Sequence, residues 1–280
     1  CRETVMRYKD QWDDLTTKMG YWVDLDAPYV TYENEYIESV WYLLKELYKK
    51  DLIYKGYTIQ PFSPAAGTGL SSHELNQPGT YKDVKDVSAV AQFKIKRNER
   101  SEFLFEGLDN EDVHCIAWTT TPWTLPSNTA LAVGKKISYV RVKTYNPYTK
   151  LKVNIILAKD LLGKWFKPEH EALDFDAFQE TDKDIPFRVE AEFKGEQLEL
   201  VDYEQLLPYV QPEEGEAFKV ILGDFVSTED GTGIVHIAPS FGADDKFVAN
   251  KYGIGSLTLV DRQGKFVDSV TDFAGRYVKD

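Results

Sequence analysis

The chain has 280 residues, which is enough for one large domain or two small ones. Hydrophobic residues make up 42% of it, so a disordered chain is excluded. Asp and Glu outnumber Lys and Arg by 46 to 33, and the net charge of −13 argues against a broad electrostatic surface for nucleic acid. A local contact with the end of a nucleic-acid strand remains compatible with this charge. The two cysteines form no metal-ligand spacing and no disulfide framework, which is typical of the reducing cytoplasm.

Two amphipathic patterns open the chain. Apolar residues recur every three or four positions from Val5 to Met19 and again from Tyr36 to Tyr48, which predicts two helices whose apolar faces pack in a core. No apolar run approaches the roughly 20 residues of a membrane span, and no signal peptide is visible, so no membrane partner is expected. Because the chain begins inside a helical pattern, it is expected to be a segment of a longer protein.

Short alternating segments separated by polar turns predict β-strands from about residue 88 onwards. The predicted strands are 89–95, 113–118, 130–133, 137–145, 151–157, 187–193, 218–226 and 233–237, and the predicted later helices are 159–166 and 241–252. This order predicts an α+β fold, in which a leading helical pair precedes a β-barrel-like core of mixed or antiparallel strands with peripheral helices. We expect residues 1–87 to hold the leading helices and their connection, and residues 88–280 to hold the core.

One hydroxyl-rich segment, Trp118 to Asn128, follows a predicted strand and has the sequence WTTTPWTLPSN. Pro122 and Pro126 lack backbone N–H groups, so the chain leaves its sheet there while presenting three hydroxyls and an indole. Hydroxyls can hold a water or a polar ligand, and an indole can line an apolar pocket. Threonine is also common on ordinary sheet surfaces, and this segment alone does not decide between the two interpretations.

A second segment of interest runs from residue 229 to residue 245. Gly231 and Gly233 permit a sharp turn and a close backbone approach before a short strand that carries His236. Asp244 and Asp245 stand near the start of the next predicted helix, where carboxylates are favourable and are often ordinary caps. His236 titrates nearest to neutral pH, which permits a catalytic role.

Several familiar catalytic sites are absent from the sequence. It contains no G-x-S-x-G nucleophile elbow, no H-E-x-x-H helix and no Cys–His motif. His236 and Asp245 are nine positions apart without a third ligand, so neither a metal nor another cofactor is expected. Any chemistry would then depend on a water positioned by hydroxyls, backbone groups and a carboxylate.

Taken together, WTTTPWTLPSN and GTGIVHIAPSFGADD resemble the two signature segments of the editing domain of isoleucyl-tRNA synthetase. The resemblance covers nearly the whole chain, since 19–24, 38–41 and 273–278 also match the surrounding family sequence. Valyl and leucyl editing domains carry arginine where this chain has Thr121, which favours the isoleucyl branch. The H-I-G-H and K-M-S-K-S motifs are absent, so no amino-acid activation or use of ATP is expected. The region 59–64 lacks the cysteine pairs of some members, which favours the zinc-free, eukaryote-like branch.

The resemblance implies post-transfer editing, which is the hydrolysis of valine esterified to tRNA-Ile, in the cytoplasm. It implies that Asp245 anchors the α-amino group, that His236 and Trp123 shape the side-chain pocket, and that Asn128 supports the segment. Thr119, Thr120 and Thr121 would orient the ester and the water, while Trp118 and Gly233 would contact the substrate.

The implied partners are the 3′ end of tRNA-Ile carrying valine and the remainder of the synthetase. Two alternatives stay open at this point. One is a non-catalytic module that docks tRNA or a protein, and the other is valyl-type editing of Thr-tRNA-Val.

Overall fold

The computed structural model describes residues 2–56 and 58–280. The chain divides into two compact units at the junction of Tyr57 and Thr58. Helices α1, α2 and α3 of the first unit span Arg2–Met6, Lys9–Lys18 and Asn34–Lys49.

These three helices confirm the predicted helical pair, although the first predicted helix is interrupted after Met6. The prediction that their apolar faces pack in a core is wrong for the described residues. None of their residues is buried, and Trp12 and Trp41 are 67% and 69% exposed.

The second unit contains ten strands and three α-helices. The strands are β1 (Phe62–Ser63), β2 (Thr68–Gly69), β3 (Ala89–Lys94), β4 (Val113–Thr119), β5 (Ala130–Val133), β6 (Ser138–Tyr145), β7 (Lys152–Ala158), β8 (Phe187–Lys194), β9 (Lys219–Leu222) and β10 (Ile234–Ile237). The helices are α4 (Ser72–Leu75), α5 (Leu162–Trp165) and α6 (Ala243–Tyr252), and 3-10 turns lie at Glu102–Phe105, Pro122–Ser127, Lys159–Leu161, Pro168–Ala172 and Gly195–Leu198.

Three sheets result from the pairing of these strands. Their orders are β1-β2, β10-β5-β9 and β3-β4-β7-β6-β8. Most pairs are antiparallel, but β4 with β7 and β5 with β9 are parallel. The predicted α+β architecture with mixed and antiparallel strands is therefore confirmed. Within the described residues the strands form open sheets and not a closed barrel.

The largest cluster of buried side chains lies between the five-stranded and three-stranded sheets. It includes Phe93 from β3, Cys115 from β4, Leu131 from β5 and Ile156 from β7, all fully buried. The alternation of strand side chains sends every second residue of β4 into this core. The core thereby fixes the end of β4 relative to β10, where the two segments singled out from the sequence meet.

The connection at residues 58–87 falls in the second unit by contacts, whereas the predicted division at residue 88 stays a prediction. Within the part of the chain that the structure describes, no helix is both long enough and apolar enough to cross a membrane.

Candidate functional site

A cavity of about 500 Å³ opens where the ends of β4 and β10 meet the start of α6. Seven of the nine residues predicted from the sequence line it, namely Trp118, Thr119, Thr120, Thr121, Gly233, His236 and Asp245. The two sequence segments are more than 100 positions apart, so the fold brings together groups that the chain order separates. Trp123 and Asn128 lie outside the cavity lining.

Thr119 is the last residue of β4, and Thr120 and Thr121 follow it. Thr119 is buried, and its hydroxyl accepts a hydrogen bond from the Thr121 backbone N–H at 3.1 Å. The two hydroxyl oxygens of Thr119 and Thr121 lie 3.3 Å apart. Pro122 then begins a 3-10 turn, because its fixed φ suits a first helical position and it has no N–H to leave unsatisfied. The local backbone thus presents a pair of hydroxyls to the cavity.

His236 stands on β10 and is 8% exposed. Its Nε2 atom lies 3.0 Å from the Thr124 hydroxyl oxygen. Its Nδ1 atom is buried and has no hydrogen-bond partner among the described residues. Burial lowers the pKa of His236 from 6.5 to about 4, because the charged imidazolium would lose its hydration. The ring is therefore neutral at pH 7.

Asp245 lies in the first turn of α6, where its carboxylate faces the cavity. One carboxylate oxygen, Oδ2, accepts a hydrogen bond from the Ala238 backbone N–H at 2.8 Å. Partial burial raises the pKa of Asp245, and the neighbouring Asp244 raises it further. Asp244 itself is exposed and does not line the cavity. A bound cation would relieve the cost of holding the Asp245 charge away from water.

The loop before β10 closes another side of the cavity. Gly233 has φ +73°, and a Cβ atom there would lie 2.3 Å from the Ala158 Cβ. The Tyr139 hydroxyl donates to the Gly233 carbonyl at 2.6 Å, and the Trp165 indole N–H donates to the Gly231 carbonyl at 2.8 Å. The glycine at position 233 is therefore required both by its backbone conformation and by the approach of β7.

Trp123 lines a separate cavity of about 310 Å³ together with Phe266 and Phe273. Its ring packs edge-to-face on Phe241, with centroids 5.1 Å apart, and Phe241 lines the 500 Å³ cavity. Trp123 thus supports the wall of that cavity from behind, and its predicted direct contact with a substrate remains a prediction.

Asn128 is the last residue of the hydroxyl-rich segment Trp118–Asn128, and its side chain is buried. Its Nδ2 group donates to the Ala130 carbonyl at 2.8 Å, and its Oδ1 accepts from the Tyr203 hydroxyl at 2.6 Å. These bonds connect the end of the threonine segment to β5 and to the core. The arrangement agrees with the supporting role that the resemblance implies for Asn128.

Sequence reasoning missed several cavity residues, including Thr124, Phe225, Val235 and Phe241. Thr124 belongs to the segment already singled out, but nothing in its spacing predicts a contact with His236. Phe225 lies four positions before the second segment and carries no sequence signal. Within residues 2–56 and 58–280, no three His, Cys, Asp or Glu side chains are grouped closely enough to hold a metal ion.

Comparison with protein families gives a match over residues 1–197 to the tRNA synthetases class I (I, L, M and V). The chain is 61% identical to an isoleucine–tRNA ligase of Cytophaga hutchinsonii, over 100% of this chain and 25% of that protein. It is 58% identical to the corresponding ligase of Bacteroides fragilis strain YCH46 (99% and 24%) and 45% identical to that of Clostridium tetani (100% and 23%). The chain therefore spans about a quarter of the length of these relatives.

These relatives confirm the resemblance to isoleucyl-tRNA synthetases. They come from bacteria, and the eukaryote-like branch expected from the sequence has no support among them.

Two solved structures are also similar to parts of the chain. The crystal structure of GlLeuRS-CP1 gives a TM-score of 0.42 at 20% identity, over 60% of this chain and 63% of that one. The editing domain of the P. knowlesi cytosolic leucyl-tRNA synthetase gives 0.39 at 15% identity, over 58% and 62%. Both TM-scores lie below 0.5, so the family assignment comes from the match over residues 1–197.

Proposed function

The chain belongs to the tRNA synthetases class I (I, L, M and V), and from that membership we propose that it hydrolyses the ester bond of valine mischarged onto tRNA-Ile. The observation that carries the proposal is a single cavity in which Asp245, neutral His236 and the Thr119–Thr121 hydroxyls converge. This reaction is post-transfer editing, and its substrate offers an ammonium group, a small apolar side chain and an ester to those three kinds of group.

Asp245 would bind the α-ammonium group of the esterified valine. A carboxylate accepts charge-assisted hydrogen bonds from an ammonium group more strongly than a neutral acceptor does. Partial burial makes the unpaired carboxylate costly, so the arrival of a cation is favourable in this position. Asp245 Oδ1 is not engaged by the Ala238 N–H and is the oxygen that we assign to the substrate.

The threonine hydroxyls would position the attacking water. Each hydroxyl can donate one hydrogen bond and accept others, so the close pair Thr119 and Thr121 can hold a water beside the ester. The oxygen of that water adds to the ester carbonyl carbon, the bond from this carbon to the ribose oxygen breaks, a proton from the water passes to the ribose oxygen, and valine and uncharged tRNA leave. Because burial lowers the pKa of His236 to about 4, this residue is a weak base at neutral pH, and we assign it to binding and shape.

Selectivity would come from the size of the side-chain pocket. Valine and isoleucine differ by one methylene, which a binding site distinguishes only weakly, and the isoleucyl enzyme is itself the standard example of a second hydrolytic site used to correct this limit. The His236 ring is buried and held by Thr124, so it forms a rigid part of the wall. We propose that this wall admits valine and rejects isoleucine by contact.

The proposal includes two partners and a location. The 3′ end of tRNA-Ile would enter the cavity, while other parts of the synthetase would hold the tRNA body, since this chain carries a net charge of −13. We place the protein in the cytoplasm, with translation.

The test is the release of valine from Val-tRNA-Ile by the full chain and by two matched variants. Asp245→Asn keeps the side-chain shape but loses the charge, and it is expected to lower the rate roughly tenfold to a hundredfold. Asp244→Asn removes the adjacent exposed charge and is expected to stay near the parent rate at neutral pH. Equal rates for the Asp245→Asn variant and the parent would reject the anchoring role.

Further substrates separate the alternatives. Binding of tRNA without release of valine would indicate a docking module. Faster release of threonine from Thr-tRNA-Val than of valine from Val-tRNA-Ile would indicate valyl-type editing.

His236→Ala is expected to increase hydrolysis of correctly charged Ile-tRNA-Ile, because the smaller side chain enlarges the pocket. Unchanged discrimination in that variant would remove His236 from the selectivity wall.

A further inference from the structure

A cavity of about 830 Å³ lies on the face of the five-stranded sheet that points away from the core between the sheets. Ile116 and Ile155 belong to this face, because side chains alternate along a strand and Cys115 and Ile156 point into that core. We call this cavity the outer groove, and its lining includes Val90, Ile116, Trp118, Tyr148, Trp165 and Phe166. Its size and its aromatic and aliphatic lining are typical of a ligand-binding cleft.

The outer groove lies next to the 500 Å³ cavity. Trp118 lines both of them. Trp165 lines the outer groove and donates its indole N–H, at 2.8 Å, to the carbonyl oxygen of Gly231, which lines the smaller cavity. Ala89 of the outer groove pairs in the β3–β4 ladder with Thr119 of the smaller cavity. A polymeric ligand whose end occupies the smaller cavity can therefore continue into the outer groove.

The outer groove offers positive charge without acidic side chains. Among the described residues that line it, the titratable side chains of this kind are Lys167, Lys183 and His170, with no Asp or Glu. His170 Nε2 lies 3.3 Å from Asp184 Oδ1, whereas neither lysine has an ion-pair partner in the part of the chain that the structure describes. Both lysines are exposed, and Asp182 and Asp184 flank Lys183 in the sequence, so the attraction for an anion is short-ranged. The groove therefore suits an anion that directly contacts the lysines.

Two aromatic rings of the outer groove are accessible to a ligand. Trp165 is 39% exposed, and Tyr148, in the turn between β6 and β7, is 92% exposed. Asn146 Oδ1 accepts a hydrogen bond from the Tyr148 backbone N–H at 2.9 Å, which orders that turn. Aromatic rings that stack on bases, next to cations that contact phosphates, are the combination that binds single-stranded nucleic acid.

We propose that the outer groove binds the single-stranded nucleotides that precede the 3′-terminal nucleotide of the tRNA, with bases stacked on Trp165 and Tyr148 and phosphates in contact with Lys167 and Lys183. The inference rests on the proposed editing function, which brings the 3′ end of the tRNA into the 500 Å³ cavity. It agrees with the net charge of −13, because the contact is local and needs no broad basic surface.

The first test measures the hydrolysis of Val-tRNA-Ile by the full chain and by the double variant Lys167→Gln/Lys183→Gln. Loss of two phosphate contacts is expected to raise KM about tenfold at low salt, while kcat stays near the parent value because these lysines do not touch the ester. Added salt is expected to lower kcat/KM more steeply in the parent than in the variant, since the parent displaces more counterions. Equal KM values in the two proteins would overturn the proposal.

The double variant Lys96→Gln/Lys251→Gln is the matched control for charge. Both of these lysines are exposed, and neither lines the outer groove or the other cavities described above. The control changes the net charge by the same amount and is expected to keep the parent KM. An equal rise of KM in both double variants would assign the effect to overall charge and would overturn the proposal.

A shortened substrate locates the contact. Valine esterified to adenosine alone has no preceding nucleotides, so the parent and Lys167→Gln/Lys183→Gln are expected to hydrolyse it at equal rates. A tenfold difference with this ester as well would show that the lysines act on the 500 Å³ cavity itself, and it would overturn the proposal.

Direct binding separates the outer groove from the editing reaction. In calorimetry with the full chain, a short RNA with the 3′ sequence of tRNA-Ile is expected to bind about tenfold more weakly to Tyr148→Leu than to the parent, and Tyr148→Phe, which keeps the ring, is expected to restore binding. Equal binding by Tyr148→Leu, or a nucleoside monophosphate that binds as tightly as the RNA, would overturn the proposal. If the parent releases no valine at all, the editing proposal fails, whereas the binding of this RNA still decides the role of the outer groove.

Discussion

At the level of single residues, burial shifts the pKa values of His236 and Asp245, two titratable groups that line the cavity, in opposite directions. It lowers the pKa of His236 and raises the pKa of Asp245, because in both cases it disfavours the charged form. His236 is thereby neutral at pH 7. The Asp245 carboxylate holds its charge at a cost that a cation can offset.

The His236 shift has a consequence for stability in acid. Between pH 6.5 and about 4 the unfolded chain binds a proton at this position and the folded chain does not, so the free energy of unfolding falls as the pH falls through that window. The shift corresponds to about 3 kcal/mol at most. Denaturant unfolding of the parent and of His236→Gln, each at pH 7 and pH 4.5, measures this contribution. The variant is expected to lose less stability on acidification, and an equal loss in both proteins would contradict the assignment.

The raised pKa of Asp245 predicts where the rate of hydrolysis falls as the pH is lowered. Hydrolysis is expected to require the carboxylate, so kcat/KM should fall on acidification at a higher pH than an ordinary aspartate would give. Asp244→Asn removes a charge that raises this pKa, and the limb is expected to move to lower pH. Rates measured across the acid range for both proteins check the sign, and a limb that moves to higher pH in the variant would contradict it.

The sequence singles out the two short segments that carry nearly all of the cavity residues, although only seven of those residues were predicted individually. It could not identify Thr124 as the partner of His236, since a hydrogen bond across 112 positions depends on how β4 and β10 meet. Trp123 shows the opposite case, a residue that the sequence predicts in the cavity and that lies outside its lining. Its neighbours in the sequence line the cavity, but the 3-10 turn that starts at Pro122 carries its ring towards Phe266 and Phe273.

At the level of elements, the loop before β10 needs glycine at position 233 for its stability, and Gly253 at the end of α6 offers a comparison. Gly233→Ala is expected to lower the free energy of unfolding by about 2 to 5 kcal/mol, because it combines a left-handed backbone with the close Ala158 contact. Gly253 ends α6 at φ +65°, and a Cβ atom added there would meet no other atom within 4 Å, so Gly253→Ala is expected to cost only ~1 kcal/mol.

Denaturant unfolding of the two glycine variants gives the comparison directly. The Gly253 variant serves as the control for the backbone term alone. Equal losses in the two would show that β7 tolerates a methyl group at position 233.

The helical and strand periods of the sequence predict where helices and strands form. They predict less well which part of the protein packs on the apolar face of each element. The pattern from Tyr36 to Tyr48 gives α3 nearly to the residue, yet Trp41 on that helix is exposed. Periodicity reports that one face of an element is apolar, and it contains no information on the partner of that face. The parallel pairing of β4 with β7 was equally out of reach, because strand partners are chosen by long-range packing.

At the level of the whole molecule, nearly all of the burial belongs to the second unit. None of the buried core residues comes from α1, α2 or α3. We therefore expect the segment 58–280 to unfold with the same free energy as the full chain when measured in denaturant.

The segment 88–280 tests the boundary predicted from the sequence. It lacks Asp86, which pairs with Lys279, and Pro64, which lies beside Gly264. It is expected to be less stable than 58–280, with the difference appearing as a lower denaturation midpoint at the same slope. Equal midpoints for the two segments would favour the boundary at residue 88.

The hydrogen bonds from α5 to the loop before β10 affect which positions of the loop can change their amino acid. Lys164 and Trp165 hold that loop through the carbonyl oxygens of Glu229 and Gly231, which every amino acid possesses. The course of the chain past the cavity is therefore independent of the side chain at position 229. That position can change its charge over evolutionary time without altering the shape of the opening, and it is where we would look for differences in substrate entry among otherwise similar sequences.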